Sequence, residues 1–191
     1  MGEPKKAAKA PRYTTDLLSI PGFAFHIDVP DPKDRIQAYI DEYRNAAAPN
    51  QQGFDETFMR EHIKVVSATS TPAGTTAVFE MKASPAFTNR MGNMHGGAVA
   101  MIHDMCTTMA AAPLARRDFW WFGGVSRNLL ITYLRPVRKD MDLVIECKVL
   151  QQGSRLATIR GEMKDKKTGS LLSVAEHNKV SIDFVPAEPK L

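Results

Sequence analysis

Residues 89–115 read NRMGNMHGGAVAMIHDMCTTMAAAPLA and include the most apolar stretch of the chain. From Ala98 to Ala112, apolar residues fall on nearly every face of a helix, and Pro113 breaks the pattern only near its end. A helix that is apolar all round is a buried helix. This stretch therefore predicts a central helix that is enclosed by the rest of the fold.

Strand-like segments lie on both sides of this helix. Apolar and polar residues alternate with a period of two in residues 77–82, 143–149 and 157–163, as is typical of antiparallel strands with one buried face. Further strands are predicted in residues 61–71, 124–135 and 171–184. Two strands, one buried helix and four more strands fit an α+β fold in which a curved antiparallel sheet wraps round the helix.

The amino-terminal part of the chain predicts an extension with one helix. Asp31 suits the N-cap, Pro32 the first helical position and Asp34 the positive end of the helix. An apolar stripe at helical spacing follows, formed by Ile36, Tyr39, Ile40, Tyr43 and Ala47. We expect this stripe to pack against the domain, with ligand binding as the alternative. The expected division is an extension over residues 1–55, a domain over 56–185 and a tail over 186–191.

Length and charge exclude several classes of protein. The chain has 191 residues, which is enough for one domain with a sizeable core. Its net charge of +4 is concentrated in residues 1–12, so the folded part has no basic stripe of the kind that binds nucleic acid. No apolar run approaches the ~20 residues of a membrane span. The sequence contains no metal-ligand spacing and no nucleotide-binding loop, so we expect neither a metal nor a cofactor.

Two features bear on location. Cys106 and Cys147 lie far apart in apolar stretches without disulfide spacing, which favours a reducing compartment, and we expect the cytoplasm. Pro189-Lys190-Leu191 is close to a peroxisomal address, although proline stands where a small residue is preferred. The peroxisome is therefore the alternative.

Asp104 and the start of the helix are the candidate reactive groups. The amide N–H groups near His95, Gly96 and Gly97 have no partner inside the helix and lie at its positive end, which suits an oxyanion hole. Asp104 is the only carboxylate between Asn89 and Asp118, and a carboxylate in apolar surroundings is protonated, paired or functional. Two structural alternatives stay open: His95 is only a polar cap, and Asp104 only bonds a neighbouring backbone or hydroxyl group.

The spacing of these groups indicates a second copy of the chain. Asp104 lies eight residues beyond Gly96, so the two are ~12 Å apart along one helix. This separation is too great for both to act on one carbon atom. If they cooperate, Asp104 must meet the helix start of another copy, which gives two sites across a two-fold axis.

The motif residues together resemble a known family. Asn89-x-x-Gly92-x-x-His95-Gly96-Gly97, followed by Asp104, is similar to the hotdog-fold thioesterases of the phenylacetate-degradation and human thioesterase-superfamily type. The stretches from Gly124 to Pro136, from Lys148 to Gly153 and from Lys167 to Gly169 resemble later parts of that family. The similarity covers roughly residues 60–183, and the first 55 or so residues have no counterpart.

This resemblance implies a reaction and roles for the residues. The Gly96 amide and the Asn89 side chain polarise a thioester carbonyl, while Asp104 of the partner subunit activates or orients the attacking water. Ser126 helps to hold that water, and His95 lines the site. Whether Asp104 is a general base or a nucleophile stays open. The implied substrate is an acyl-CoA, and the implied assembly is a homodimer, with a homotetramer as a dimer of dimers.

One glycine and four basic residues are expected to bind the substrate. The expected substrate-binding residues are Gly97, Arg90, Arg135, Arg138 and Lys139, and the four basic ones are candidates for the CoA phosphates or for ordinary surface charge.

The rival functions are a hotdog dehydratase or hydratase and a non-catalytic acyl-CoA sensor or assembly module. The aromatic insert of residues 116–122 either shapes an acyl pocket or covers one end of the core. Acyl chain length, and CoA against a carrier-protein thioester, are left open.

Overall fold

The computed structural model describes residue 20 and residues 22–46 and 54–182. Several expectations fall outside these residues. Among them are Ala47 of the predicted helix stripe, the basic tail of residues 1–12 and the tripeptide Pro189-Lys190-Leu191.

Six antiparallel strands form one sheet in the described residues. They are β1 (Lys64–Thr71), β2 (Gly74–Lys82), β3 (Val125–Tyr133), β4 (Asp142–Gln152), β5 (Leu156–Asp165) and β6 (Leu171–Val180). Their order in space is β1-β2-β4-β5-β6-β3, so β3 pairs only with β6 and forms an edge. The predicted curved antiparallel sheet, with two strands before the central helix and four after it, is confirmed.

The first strand was predicted to begin at residue 61, and this boundary is wrong. Residues Phe58–His62 form a π-helical turn, and β1 begins only at Lys64. Phe58 and Met59 are both fully buried. The helical turn buries these two side chains before the strand begins, so residues 61 and 62 lie in the turn and not in the strand.

Two α-helices among the described residues accompany the sheet, α1 (Pro32–Asn45) and α2 (Gly96–Ala110). The central helix α2 packs on the sheet through side chains such as Ile102, Cys106 and Met109, which are fully buried. The predicted central buried helix is confirmed, although one of its side chains is only partly covered within a single chain. Asp104 keeps 40% of its side-chain surface exposed, because the sheet covers only one side of the helix in a single chain.

Helix α1 begins as the sequence predicts. The Asp31 carboxylate caps it by accepting a hydrogen bond of 2.9 Å from the Asp34 N–H. The stripe of Ile36, Tyr39, Ile40 and Tyr43 is buried in the core, which supports its predicted packing role. The Arg35 guanidinium also joins α1 to the segment that follows α2, since its Nη1 donates to the carbonyls of Ala112, Pro113 and Ala115 at 2.9–3.2 Å.

The aromatic insert after α2 packs against the amino-terminal extension. The Phe25 N–H donates to the Trp121 carbonyl at 2.8 Å, and the Trp121 indole N–H donates back to the Phe25 carbonyl at 3.0 Å. Phe23 and Phe122 lie with their ring centres 5.1 Å apart. These contacts favour the interpretation that the insert covers one end of the core.

Strand β3 carries several exposed apolar side chains. The exposed fractions are 48% for Val125, 66% for Leu130, 55% for Tyr133 and, just beyond the strand, 46% for Leu134. This edge of the sheet is therefore an apolar surface that a single chain leaves uncovered.

Neither of the described α-helices is long and apolar enough to cross a membrane.

Candidate active site

A tight turn before α2 leaves the Asn89 amide group free to donate. The Asn89 Oδ1 atom accepts hydrogen bonds from the backbone N–H groups of Met91 at 2.9 Å and Asn93 at 3.2 Å. Gly92 completes the turn at φ +75°, a conformation that favours glycine. Because Oδ1 is engaged, the orientation of the side chain is set. Its Nδ2 group has no hydrogen-bond partner in the described part of the chain.

His95 is the N-cap residue of α2. Its Nδ1 atom accepts a hydrogen bond of 3.0 Å from the Gly97 N–H, which fixes the ring. In the neutral imidazole the proton then resides on Nε2. The expected capping role is thus present, and the exposed His95 ring still has an N–H to donate. Gly97 contributes its N–H to this cap.

Gly96 is the first residue of α2, and its N–H has no hydrogen-bond partner among the described residues. The Tyr133 hydroxyl donates to the Gly96 carbonyl at 2.9 Å. A Cβ atom at position 96 would lie 3.5 Å from the Tyr133 oxygen, an ordinary contact. The chain itself therefore has room for a methyl group at this position. Sequence reasoning missed Tyr133 as a site residue, because only the pairing of β3 with β6 brings it to the helix start.

A cavity of about 350 Å³ lies beside this helix start. Gly96 and Tyr133 line it together with the apolar side chains of Val99, Leu134, Val137 and Leu172. An apolar cavity next to free N–H donors is a common form of small-molecule site.

Asp104 lies further along α2 and contacts two residues of the sheet. The Ser126 hydroxyl of β3 lies 3.3 Å from Asp104 Oδ1 in a donating geometry. His177 of β6 places Nε2 at 2.9 Å from Ser126 Oγ and 3.6 Å from Asp104 Oδ1. The structure thus brings together Asp104 and Ser126, which the sequence named as candidates. His177 was missed, although it lies on the inward face of a strand with a period of two.

His177 belongs to a line of polar contacts between α2 and β6 that we call the polar seam. It consists of His103, Thr107 and Thr108 of α2 with Ser173, His177 and Lys179 of β6. His103 Nε2 lies 2.8 Å from Ser173 Oγ, and His177 Nδ1 lies 2.6 Å from Thr107 Oγ1. The Lys179 ammonium donates to Thr108 Oγ1 at 2.8 Å. The seam thus satisfies most of its buried polar groups within the chain.

Burial controls the charges in the polar seam. It lowers the pKa of His103 to about 4 and, with a smaller contribution from the Lys179 ammonium, the pKa of His177 to about 3. Both rings are therefore neutral at pH 7, so the approach of His177 to Asp104 is not an ion pair. Burial also lowers the pKa of Lys179 to about 8, and the negative charge of Asp104 partly opposes this shift.

The two groups of candidate residues do not meet within one chain. Gly96 and Asp104 lie eight residues apart on the same helix α2, which corresponds to about 12 Å. The carbonyl-polarising candidates therefore lie at one end of the helix, and the Asp104–Ser126 pair lies near its middle.

The four basic candidates are all exposed. Arg138 and Lys139 follow a segment that bonds to the turn before α2, since the Met94 N–H donates to the Val137 carbonyl at 2.7 Å and the Lys139 N–H to the Gly92 carbonyl at 2.9 Å. Arg135 donates to the Leu171 carbonyl at 2.7 Å. Arg90 lies in the turn itself. A role for these residues in binding phosphates stays a prediction.

Comparison with known proteins gives consistent matches. The family model described as the thioesterase superfamily matches residues 91–172. Acyl-coenzyme A thioesterase 13 of Mus musculus is 34% identical over 127 residues, which cover 66% of this chain and 84% of that protein. The Homo sapiens protein of the same name is 36% identical over 102 residues, 53% of this chain and 70% of that protein.

Solved structures show the same fold. Zebrafish thioesterase superfamily member 2 matches with a TM-score of 0.64 and 30% identity over 78% of this chain and 96% of that one. The Escherichia coli PaaI protein from the phenylacetic acid degradation operon matches with a TM-score of 0.53 and 18% identity, over 62% of this chain and 82% of that one. The second likeness concerns the fold alone.

Proposed function

Because the chain belongs to the thioesterase superfamily, we propose that it hydrolyses acyl-CoA thioesters at a site shared between two copies of itself. Asn89 and Gly96 of one copy polarise the thioester carbonyl, and Asp104 and Ser126 of the other copy activate water. The observation that carries this proposal is the division of candidate groups along α2. Free donors lie at its start, and a carboxylate bonded to a hydroxyl lies about 12 Å further on.

The helix start is suited to stabilising an oxyanion. Attack on a thioester carbonyl moves negative charge onto its oxygen, and preorganised N–H donors stabilise that charge. The Gly96 N–H and the Asn89 Nδ2 group are both without partners in the described structure. The positive end of the α2 dipole adds to their effect. The His95 Nε2–H supplies a further donor for the sulfur atom that leaves.

Asp104 and Ser126 are suited to activating water. Asp104 accepts a proton from water while the water oxygen bonds to the carbonyl carbon. The carbon–sulfur bond then breaks, and the proton held by Asp104 passes through solvent to the departing thiolate, which yields the free acid and the CoA thiol. A non-catalytic acyl-CoA binder needs no such carboxylate, and a half-exposed Asp104 held by Ser126 supports hydrolysis over binding alone.

Strand β3 supplies the surface for the second copy. Its exposed apolar side chains include Leu130 and Tyr133, and Tyr133 touches Gly96 directly. Pairing of two β3 edges across a two-fold axis would bury this surface and bring each Asp104 toward the other copy's helix start. We propose the homodimer as the minimal active unit and a homotetramer, a dimer of such dimers, as the larger assembly.

Initial rates test the reaction and its alternatives together. The substrates are acyl-CoAs of increasing chain length and an aryl-acyl-CoA, and the released thiol is measured. A 3-hydroxyacyl-CoA is tested in parallel for dehydration. We expect thiol release that Asp104→Asn nearly abolishes. Dehydration without thiol release would identify a dehydratase, and saturable acyl-CoA binding without turnover would identify a sensor.

Mixing two inactive variants tests the shared site. Asp104→Asn and Asn89→Asp homodimers are combined under conditions in which subunits exchange, as verified with tagged chains on a native gel. Random pairing leaves one intact site in half of the dimers, so we expect about a quarter of wild-type activity to return. Exchange without recovery would place both groups in one subunit.

We also propose a cytoplasmic location, which the buried free thiols of Cys106 and Cys147 support. A fluorescent fusion that keeps the carboxyl terminus free tests it, with Pro189→Ser as the comparison. Diffuse fluorescence in the wild type supports the cytoplasm, and puncta in the wild type would instead support the peroxisome.

A further inference from the structure

Ser126 lies at the start of β3, where the strand ladder is short. In the described structure β3 is an edge strand that pairs with β6. The pairing begins with Val125 and Ser126, and a register shift then interrupts the ladder between Ser126 and Asn128. Such a bulge bends the strand and leaves a residue unpaired. The ladder alone therefore does not determine where the Ser126 hydroxyl lies relative to Asp104 Oδ1, which is 3.3 Å away.

Two glycines lead into β3 and have an enclosed backbone. Gly123 and Gly124 both have a φ of +66°, in the region that favours glycine. A Cβ atom on Gly124 would lie 2.5 Å from the Val180 carbonyl oxygen and 2.7 Å from the Trp120 ring, so no side chain fits there. The freedom that two consecutive glycines give to the chain is thus removed by the packing around them.

Gly123 lies between the amino-terminal extension and α2. A Cβ atom on Gly123 would lie 3.1 Å from the end of the Phe25 ring and 3.2 Å from the Thr108 methyl group. Thr108 follows Asp104 by four residues, so the two lie about one turn apart on the same face of α2. The Phe25 ring thus confines the segment before β3 against the helix that carries Asp104.

Phe25 is itself fixed from two sides. The residue is 3% exposed. Its N–H donates to the Trp121 carbonyl at 2.8 Å, and the Trp121 indole N–H donates back to the Phe25 carbonyl at 3.0 Å. Its ring centre lies 5.2 Å from that of Tyr39 of α1, whose hydroxyl donates to the Gly22 carbonyl at 2.8 Å. The aromatic insert and α1 together therefore hold the ring in place.

We infer that Phe25 is a positioning residue, which confines the glycine segment before β3 against α2 and thereby fixes Ser126 beside Asp104. This role rests on the proposed function of the Asp104–Ser126 pair in activating water. Phe25 does not touch the substrate in this scheme, and it acts through Gly123 and Gly124. The amino-terminal extension thereby has a part in the reaction in addition to its packing on the core.

Phe25→Leu tests this role, because it removes the contact with Gly123 and keeps an apolar side chain. The ring atoms nearest to Gly123 are Cζ and Cε2, which leucine lacks. We expect kcat to fall about 10-fold with little change in KM, since a small displacement of a reacting group has an effect of this order. Phe25→Met should restore part of the loss, because an extended methionine reaches about as far as the end of the ring.

Phe79→Leu is the matched control. Phe79 is fully buried in β2, which the strands β4, β5 and β6 separate from β3 in the sheet. This variant should melt at a lower temperature, but kcat of the folded enzyme should not change. An unchanged kcat in Phe25→Leu, or an equal loss of kcat in Phe79→Leu, would overturn the inference.

A double-mutant cycle tests whether Phe25 acts through Ser126. In a Ser126→Ala background, Phe25→Leu should have little further effect on kcat, because the hydroxyl that the ring positions is already absent. Losses of kcat that simply add would mean that Phe25 acts through another group, and they would also overturn the inference.

Hydrogen exchange tests the same contact independently of activity. Phe25→Leu should raise amide exchange in a peptide that covers residues 119–127, more than Phe79→Leu does, and should leave the start of α2 unchanged. Unchanged exchange in this peptide would refute the inference even if the enzyme hydrolyses acyl-CoA. Raised exchange in a protein that does not hydrolyse acyl-CoA would refute only the proposed function.

Discussion

The start and the middle of α2 differ in how their polar groups are satisfied. At the start, the Gly96 N–H and the Asn89 amide have no partner within the described residues. In the middle, Asp104 contacts Ser126, which contacts His177, which contacts Thr107. One region presents free donors, and the other is a line of groups that bond one another.

The start of α2 is therefore suited to binding a substrate group, and the middle of α2 is suited to holding a catalytic group in a fixed orientation. Unpaired donors beside an open cavity are suited to a substrate oxygen that arrives from outside. A carboxylate backed by buried hydroxyl and imidazole groups is suited to a step that needs a fixed orientation. Variants of the start should therefore alter catalysis with little change in stability, whereas changes in the middle can affect both.

Asp104→Asn removes the base from the middle region and keeps the shape of the side chain. General bases contribute about 10²- to 10⁴-fold, and we expect kcat to fall within that range with little change in KM. Steady-state kinetics with thermal unfolding as the control measure both effects. Full activity in the Asp104→Asn variant would remove this carboxylate from the mechanism.

Acid should destabilise the middle region through its neutral histidines. Their pKa values, about 4 for His103 and about 3 for His177, lie below the value near 6.5 of an unfolded histidine. The unfolded chain therefore binds more protons, so stability is complete above about pH 6.5 and is lost as pH falls toward 4 and 3. Between pH 7 and pH 5 the two histidines together should remove about 4 kcal/mol from the free energy of unfolding.

Urea unfolding at the two pH values measures this loss. In His103→Gln, one titrating group is absent, so the loss between pH 7 and pH 5 should shrink by about half of the two-histidine contribution. An identical pH dependence in wild type and variant would mean that the ring of His103 is not held neutral by burial.

The Asn89→Asp variant tests the start of α2 and preserves the turn before it. Asn89→Asp keeps an oxygen to accept from Met91 and Asn93 but loses the Nδ2 donor. We expect an unchanged melting temperature and a kcat lower by about 10²- to 10³-fold, the range for one oxyanion-hole donor. Asn89→Ala should lose the turn contacts as well and melt at a lower temperature. Equal activity in Asn89→Asp and wild type would exclude the amide as a donor.

Gly96→Ala should have a smaller effect than any of these changes. The added Cβ has room within the chain, 3.5 Å from the Tyr133 hydroxyl, so the fold should be unaffected. A methyl group beside the proposed carbonyl site should lower kcat/KM about 10-fold, since a slight misplacement of the reacting atoms already has a cost of this order. Gly97→Ala is the comparison, because its Cβ would approach His95 Nδ1 to 3.1 Å and disturb the cap. Unchanged kcat/KM in Gly96→Ala would indicate that no substrate group approaches this backbone.

Local chemistry made much of the fold predictable. The Asp31 cap, the stripe of α1 and the period-two strands all depend on residues close together in sequence, and the structure contains each of them. Glu61 and His62, at the start of the first predicted strand, were the exception, because they belong to a helical turn. This turn follows from the burial of Phe58 and Met59 against residues far along the chain, which local periodicity does not contain.

Some residues of the candidate site could likewise be predicted from the sequence, and others could not. Asn89, His95, Gly96 and Asp104 lie within sixteen residues, so their motif and its helical spacing were visible in the sequence itself. Tyr133 and His177 were not, because nothing near them in sequence relates them to α2. Their positions depend on strand pairing, in which β3 binds β6 and both lie against the helix.

The sequence alone therefore determined the order of elements, the central helix and the separation of Gly96 from Asp104, since these depend on periodicity and on the fixed rise of a helix. The tertiary structure decided which side of α2 is covered and which side chains surround Asp104. It also decided that two histidines of the polar seam are neutral. These properties arise from long-range packing, because desolvation and hydrogen bonding depend on neighbours that only the folded sheet brings together.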